Sequence, residues 1–427
     1  ITVMGIVFVI INASQAQQIY GTPVQPVTYH IAGFVGDAFV IFFIILITFY
    51  AGELYWKERD YKLNGIKDAL PIPTWINVSS QYVAMITVLA GLLLMLMLAG
   101  IGLQLWQGFF DIEVGTYLVI LFTDNFPRLV ELTFLAFFVH VLANNKFMGH
   151  AIVIVIYLFL FIGLPQMDLN HNLYQFSGDP GFVYSGMNGT GPFGQGLFWF
   201  HLYWIAFSLF LAGVSYMLWQ RGTVDAFTER LRFAGQRVKR PTRIFLGSCL
   251  IVFLGAGIYI FYNTNILNNY TGSEEADQIS ARYEKQYKYL DSMPQPKITN
   301  VNLDLAIYPD KRDISMDGTY TLENKTDQPI DTLFIELTNS DNLQVNQLEL
   351  SAAAKEVYYD SLYPFYLYRL EESLKPGGTI QLAYDLYYPI KGFENGGPNT
   401  SIVQNGTFIS SSYLPSIGYV DANELGS

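Results

Sequence analysis

The stretch ELYWKERDYKLNGIKDALPIP, residues 53–73, lies between two long apolar runs and sets the arrangement of everything around it. Eight of its 21 residues are charged, yet its apolar residues recur at helix-like intervals: Leu54, Trp56, Tyr61, Leu63, Ile66 and Leu70. A charged, amphipathic helix between two membrane spans lies on the membrane surface, where a soluble partner can contact it. The pattern therefore predicts a surface helix over residues 53–70.

Apolar runs of membrane-spanning length surround this stretch. A span needs about 20 residues, and the runs that come close to this length are 31–51, 79–104, 128–144, 149–165, 198–219 and 244–263. The run over roughly 1–12 is shorter, and we interpret it as the tail of a span that begins outside this sequence. Residues 1–263 are thus predicted to form a polytopic α-helical membrane domain, with about six full spans and a partial first one.

The charges divide the chain into two bodies. Residues 1–263 carry 13 Lys and Arg against 13 Asp and Glu, whereas residues 264–427 carry 11 against 23. The second body therefore accounts for the whole formal net charge of −12. An acidic domain argues against nucleic acid as a partner and against docking on anionic lipid. The single cysteine, Cys249, lies in an apolar run, which excludes a disulfide framework and a Cys-based metal site.

The distribution of Lys and Arg orients the spans. The loops 52–78 and 220–243 are basic, whereas 13–29, 105–127 and 166–197 contain no Lys or Arg. Because short basic loops stay in the cytoplasm, we expect the two basic loops there and everything after the last span on the outside. The organisation is that of a multi-pass membrane protein.

The second basic loop has an apolar helical face formed by Val224, Phe227, Leu231 and Ala234. This pattern favours a membrane-surface helix held by anionic lipid. Contact with a cytoplasmic partner is the alternative.

The acidic body changes period along its length. Residues 264–293 are polar with a weak apolar stripe at Ile279, Tyr283 and Leu290, which predicts a helical stalk. From Ile298 apolar residues alternate with polar ones, and turn signals such as Pro376-Gly377-Gly378 separate the segments. Residues 294–427 are therefore predicted to form an all-β sandwich or saddle outside the membrane.

Residues 1–263 resemble the type-2 ABC transporter permeases. Glu-Leu-Tyr-Trp-Lys-Glu-Arg-Asp follows one span, and Leu70-Pro71-Ile72-Pro73 precedes the next. In that family this segment is the coupling helix, which a cytoplasmic ATPase holds, and two permease units form a dimer or pseudo-dimer. The resemblance implies that the ATPase contacts Glu53, Trp56, Glu58, Arg59, Tyr61, Leu63 and Ile66. The chain has no Gly-x-x-x-x-Gly-Lys-Ser/Thr motif, so ATP would be hydrolysed by the partner.

Residues 294–427 resemble the first β domain of aminopeptidase N-like zinc metallopeptidases. IYPDKRDISMDGTYTLENKTDQPIDTLFIEL, residues 307–337, and SYLPSIGY, residues 412–419, carry the likeness. The combination is similar to bacterial fusions of an ABC permease with an aminopeptidase-like domain, which implies an inner-membrane protein with a periplasmic C-terminal domain.

The zinc-binding motif of those peptidases, His-Glu-x-x-His, is missing. None of the histidines precedes a Glu; they are His30, His140, His150, His171 and His201. We therefore predict no catalytic residue and no metal ligand in this chain, with zinc expected only if a catalytic domain follows. The alternative to a permease is a membrane-anchored aminopeptidase-like protein, or a degenerate peptide-binding module, with the spans as an anchor.

Three charged residues fall near the outer ends of predicted spans: Asp37, Arg128 and Glu131. Intramembrane charges are costly and point to function by default, so these residues line an outer gate or, alternatively, have a structural role. Arg128 and Glu131 are spaced to pair on one helical face. The glycine- and aromatic-rich loop 166–197 is either a lid or vestibule, or else a packed cap over the helices or a seat for the outer domain. These readings stay open.

Overall fold

The computed structural model describes residues 18–19, 22–220, 227–340 and 342–426. The chain divides into two compact units, Ile1–Ile260 and Phe261–Ser427. This division falls close to the boundary that the charge distribution predicts.

The first unit is helical. Its helices are α1 (Thr28–Asp60), α2 (Asn64–Ala69), α3 (Thr74–Trp106), α4 (Val114–Leu142), α5 (Lys146–Gln166), α6 (Phe193–Leu218), α7 (Phe227–Arg237) and α8 (Arg240–Leu267). Six of them, all but α2 and α7, are long and apolar enough to cross a membrane, and each overlaps one predicted span. The predicted partial span over 1–12 lies outside the described residues. A minimal hairpin of β1 (Gln18–Ile19) and β2 (Thr22–Pro23) precedes α1.

Helix α1 packs against α3, α4 and α5. Its buried apolar residues recur every four positions: Ile31, Val35, Phe39, Phe43, Ile47, Ala51 and Tyr55. Residues four apart share one face of a helix, so this stripe forms a continuous contact along the helix axis.

Helix α4 begins well before the predicted span at residue 128. The polar residues Thr123, Asp124 and Asn125 interrupt the apolar run but not the helix, because a π-helical turn at Leu121–Asn125 carries them. The amide of Phe126 donates to the carbonyl of Leu121, and Pro127 directly follows with no N–H to donate. Such widened turns occur frequently at functional sites.

The predicted surface helix over residues 53–70 is wrong as a single element. Helix α1 continues to Asp60, the chain turns at residues 61–63 with Lys62 at a φ of 57°, and α2 spans only Asn64–Ala69. The charged stretch is therefore the last turns of a long helix, a tight turn and one short helix.

The second unit contains two four-stranded antiparallel sheets. The strands are β3 (Lys297–Tyr308), β4 (Asp313–Glu323), β5 (Ile330–Glu336), β6 (Gln344–Leu350), β7 (Ala354–Asp360), β8 (Phe365–Leu374), β9 (Thr379–Pro389) and β10 (Ser416–Ile417). One sheet has the order β3-β4-β9-β6, and the other has the order β10-β5-β8-β7. Both sheets contribute to one core, which includes Ile314, Leu322 and Leu382 from the first and Leu333 and Ile335 from the second. The predicted C-terminal all-β domain is confirmed.

The predicted stalk is a helix that belongs to the β domain. Helix α9 (Ser273–Tyr287) buries Tyr283 and Tyr287 against Phe334 and Phe365, on the face of β5 and β8 opposite the sandwich core. Strand β5 is therefore buried on both faces, and its apolar residues are consecutive rather than strictly alternating. Large aromatic side chains bury so much area that this segment packs against the sheet instead of standing apart from it.

Candidate functional site

The charged stretch is joined by ion pairs to the turn between α4 and α5. Lys146 Nζ lies 2.6 Å from Glu53 Oε1 and 3.3 Å from Asp60 Oδ2. We call the region formed by residues 53–73, 143–146 and 230–237 the charged end of the helical unit. Two of these segments, 53–73 and 230–237, come from the loops that the distribution of Lys and Arg assigns to the same side.

Within the charged end, the turn after α1 is closed by a second ion pair. Lys67 on α2 contacts the carboxylate of Glu58 on α1. The guanidinium of Arg59 lies 5.5 Å from the ring centres of both Tyr55 and Trp56, within cation–π range. The ion pair holds the short helix against the end of α1, and the contacts of Arg59 stabilise the last turns of α1.

The apolar residues of the stretch divide into a buried and an exposed set. Trp56 is buried, and its Nε1 donates to His140 Nδ1 at 3.3 Å. Tyr61, Leu63 and Ile66 instead expose 70%, 51% and 70% of their surface. Of the predicted contact residues, Trp56 therefore belongs to the packing of the unit, and the exposed set is available to a partner.

The basic loop contributes arginines that cap helices rather than face outward. Arg230 donates to the carbonyls of Val141 and Leu142 at the end of α4. Arg237 donates to Trp219 O at 2.6 Å, just past the end of α6. Cations are favourable at helix C-termini, where carbonyls lack partners. The expected lipid-facing role therefore does not apply to Arg230, which is buried; Val224 lies outside the described residues.

Two histidines pack tightly below the charged end. His140 and His150 have ring centres 4.9 Å apart, and His150 Nδ1 lies 3.1 Å from the carbonyl oxygen of Thr48. Gly52 and Gly149 border them, and an added Cβ on either glycine would overlap the His140 ring. His140 is a buried, hydrogen-bonded core residue, as its apolar neighbours in the sequence predict.

The predicted gate residues lie at the opposite end of the helical unit. Asp37 is about 24 Å from Glu53 along α1, at 1.5 Å per residue. Arg128 is ion-paired with Asp179 of the loop between α5 and α6, not with Glu131 as the spacing predicts. Glu131 is instead paired with His201 of α6, with Oε1 3.1 Å from Nδ1. Asp37 is exposed and near enough to interact electrostatically with Arg128.

We call the group Asp124, Arg128, Glu131, Asp179 and His201 the polar cluster. One oxygen of Asp124, one oxygen of Asp179 and one ring nitrogen of His201 all lie within 4.8 Å of one another. The side chains of Glu131 and Asp179 are 0% exposed. The sequence did not single out three of these residues, because only contacts between distant segments bring them together. The polar break at Thr123-Asp124-Asn125 was the one local signal.

The loop 166–197 packs onto the polar cluster. Trp204 Nε1 donates to Gly178 O at 3.0 Å, and Asp179 Oδ1 accepts from the amide of Gly181 at 2.8 Å. Phe176 is buried against Trp204. The cap reading of this loop fits these contacts better than a loose lid does.

The β unit contains a buried carboxylate of its own. Tyr283 donates to Glu336 Oε2 at 2.7 Å, and Asn423 donates to Oε1. Burial raises the pKa of Glu336 to about 7, although both hydrogen bonds act in the opposite direction. No cation lies within ion-pairing distance of this carboxylate among the described residues.

No family model and no curated protein matches this chain.

Proposed function

We propose that this chain is the permease subunit of an ABC transporter and that a separate cytoplasmic ATPase drives it. The observation that carries the proposal is the exposed apolar set Tyr61, Leu63 and Ile66, placed on a short, charged turn between two long apolar helices. Exposed apolar residues surrounded by charges are a feature of contact surfaces.

A movement of this turn is transmitted to the helical unit through α1. The turn is continuous with α1, and α1 packs against α3, α4 and α5. The Glu58–Lys67 pair joins α2 to α1, and the contacts of Arg59 with Tyr55 and Trp56 stabilise the last turns of α1 itself. A partner that moves α2 therefore also displaces α1. ATP would be bound and hydrolysed by the partner.

The test is loss of an ATPase from the purified complex. Leu63→Asp with Ile66→Asp should release the ATPase subunit that co-purifies from native membranes and abolish stimulation of its activity. Glu58→Lys and Arg59→Glu should weaken the association for the same reason. Phe110→Asp is the matched control, because Phe110 is 76% exposed and lies next to the opposite end of α3. Retention of the ATPase by the double variant would refute the assignment.

The proposal places the charged end in the cytoplasm and the β unit in the periplasm of a bacterial inner membrane. Its support is the excess of Lys and Arg at the charged end. With Cys249 replaced by Ser, Tyr61→Cys and Phe408→Cys introduce single thiols at exposed positions of the two units. A membrane-impermeant maleimide should label position 408 in intact spheroplasts and position 61 only after lysis. The reverse pattern would invert the topology.

A second permease unit completes the proposal, as a homodimer or pseudo-dimer. Helices α5 and α8 support it, because only 22% and 17% of their most apolar windows are buried within this chain. Lipid covers the part of the α5 and α8 surface that a second unit does not contact. Cross-linking of single cysteines along α5 and α8 in native membranes should give dimers at positions on one helical face only.

A further inference from the structure

His201 presents one ring nitrogen without a partner in a buried position. The residue is 6% exposed, and its Nδ1 lies 3.1 Å from Glu131 Oε1. Its Nε2 is buried and has no hydrogen-bond partner in the described part of the chain. An ionised carboxylate accepts a hydrogen bond and therefore holds the imidazole proton on Nδ1. In the neutral imidazole this leaves a lone pair on Nε2, and a buried polar atom without a partner calls for an explanation.

Carboxylates surround this imidazole in excess of cations. Asp124, Glu131 and Asp179 are three carboxylates, and among the described residues Arg128 is the one guanidinium that contacts the cluster, through Asp179. With His201 neutral, the polar cluster has two formal negative charges more than positive ones. Burying uncompensated charge costs several kcal/mol per ion, so this group requires either protons or a cation.

We infer that Asp124, Asp179 and His201 form a binding site for a divalent transition-metal cation. A dication would neutralise the excess charge of the polar cluster. A neutral imidazole with carboxylates suits zinc and its first-row neighbours, whereas magnesium and calcium prefer oxygen ligands alone. Nothing in this inference depends on the chain being a transporter.

Glu131 supplies the second layer of such a site. Metal-binding histidines almost always donate their other ring N–H to a carboxylate or carbonyl, which fixes the tautomer and the ring orientation. Glu131 stands in that relation to His201. It is thus a positioning residue, while Asp124, Asp179 and His201 are the ligands.

The three ligand atoms have to move closer together to bind a metal ion. Ligand atoms at about 2 Å from zinc in tetrahedral geometry lie ~3.3 Å from one another, compared with at most 4.8 Å between these atoms. Asp124 stands on the π-helical turn, and the site requires its carboxylate to approach the other two ligands through a change of side-chain rotamer. Asp179 keeps its contact with Arg128, because each carboxylate oxygen has a second lone pair.

Metal uptake by the untagged, full-length protein in detergent tests the inference. After treatment with chelator and dialysis against Zn²⁺, mass spectrometry of the metal content should find one bound zinc per chain. His201→Gln and Asp124→Asn should each remove that zinc, and Glu131→Gln should weaken its binding by about 10–100-fold. The matched controls are His30→Gln and Asp111→Asn, which lie outside the polar cluster and should keep it. Uptake equal in wild type and in the two ligand variants would overturn the site, as would no uptake at all.

A measurement on the wild type alone covers the case in which a variant does not fold. Mn²⁺ bound at this site should show nitrogen modulation from one imidazole in electron spin-echo spectroscopy. Zn²⁺ should displace the Mn²⁺, and a tenfold higher concentration of Mg²⁺ should not. A spectrum without nitrogen modulation, or displacement by Mg²⁺, would overturn the assignment of His201 as a ligand.

Discussion

The two ends of the helical unit both contain charged residues, but their surroundings differ. At the charged end, the side chains of Lys146, Glu53 and Asp60 are 21%, 55% and 47% exposed, so solvent or headgroups share in neutralising them. At the polar cluster, Asp179 and Glu131 are completely buried. Exposed ion pairs contribute little to stability, whereas a buried ion depends on its partners. The charged side chains of the charged end are thus available for contact with a partner. Those of the polar cluster are held by specific residues of the same unit.

The largest effect should come from breaking the buried pair. Arg128→Leu leaves Asp179 without its cation and should destabilise the helical unit by about 3–5 kcal/mol. Unfolding in mixed micelles, titrated with SDS, measures this change. The double variant Arg128→Leu, Asp179→Leu should recover most of the loss, because the buried carboxylate that Arg128 neutralises by direct contact is then also removed. If Arg128→Leu loses no more stability than the removal of an exposed ion pair, the two ends do not differ in how strongly their charges depend on partners.

Glu336 extends the comparison to a buried carboxylate with neutral partners. Its pKa in the folded chain is about 7, above the ordinary value of 4.5. Between these values the folded state binds more protons than the unfolded state, so stability falls as pH rises from 4.5 to 7 and is then level. The whole interval corresponds to on the order of 3 kcal/mol.

Glu336→Gln should therefore remove part of the pH dependence of the β unit. The measurement is the free energy of unfolding of variant and wild type at pH 5 and pH 8, followed by the near-ultraviolet circular dichroism of the tyrosines. The free energy of unfolding of the variant minus that of the wild type should be larger at pH 8 than at pH 5, because only the wild type loses stability between these pH values. Glu372→Gln, at an exposed position on β8, is the control and should show no such difference. Equal behaviour of the two variants would contradict burial as the cause.

The sequence predicted helices and strands better than it predicted the side-chain contacts between distant segments. Apolar runs located all six long helices of the described chain, because a span has to be apolar over its whole length. Alternation located the strands near Leu333 and Ile380. The pairing of Arg128 was missed, since its partner Asp179 is 51 residues away. The surface helix was misjudged because charges at the end of α1 look the same, in sequence, as charges on a separate helix.

The histidine pair shows that tight packing lies directly below the exposed charges. Gly149→Ala would place a Cβ 2.6 Å from His140 Cε1, and His140 is fully buried. Such overpacking should cost about 1–3 kcal/mol. Gly91→Ala on α3 is the control, since no atom of the described residues lies within 4 Å of the new Cβ, and it should be neutral or stabilising by up to about 1 kcal/mol. Equal effects of the two in the SDS titration would mean that this end is loosely packed throughout.

The smallest effect should come from Lys146, which holds two ion pairs at the charged end. Lys146→Gln removes both pairs, yet it should cost less than about 1 kcal/mol, and less still at high salt, because its partners are half exposed. The SDS titration at low and high ionic strength measures this.

A small loss of stability in Lys146→Gln would also show that charge changes at the charged end leave the fold intact. Loss of a bound ATPase in Glu58→Lys or Arg59→Glu would then report on the contact itself. A cost comparable to that of Arg128→Leu would instead make Lys146 part of the framework of the helical unit, and charge reversals near it could no longer separate binding from folding.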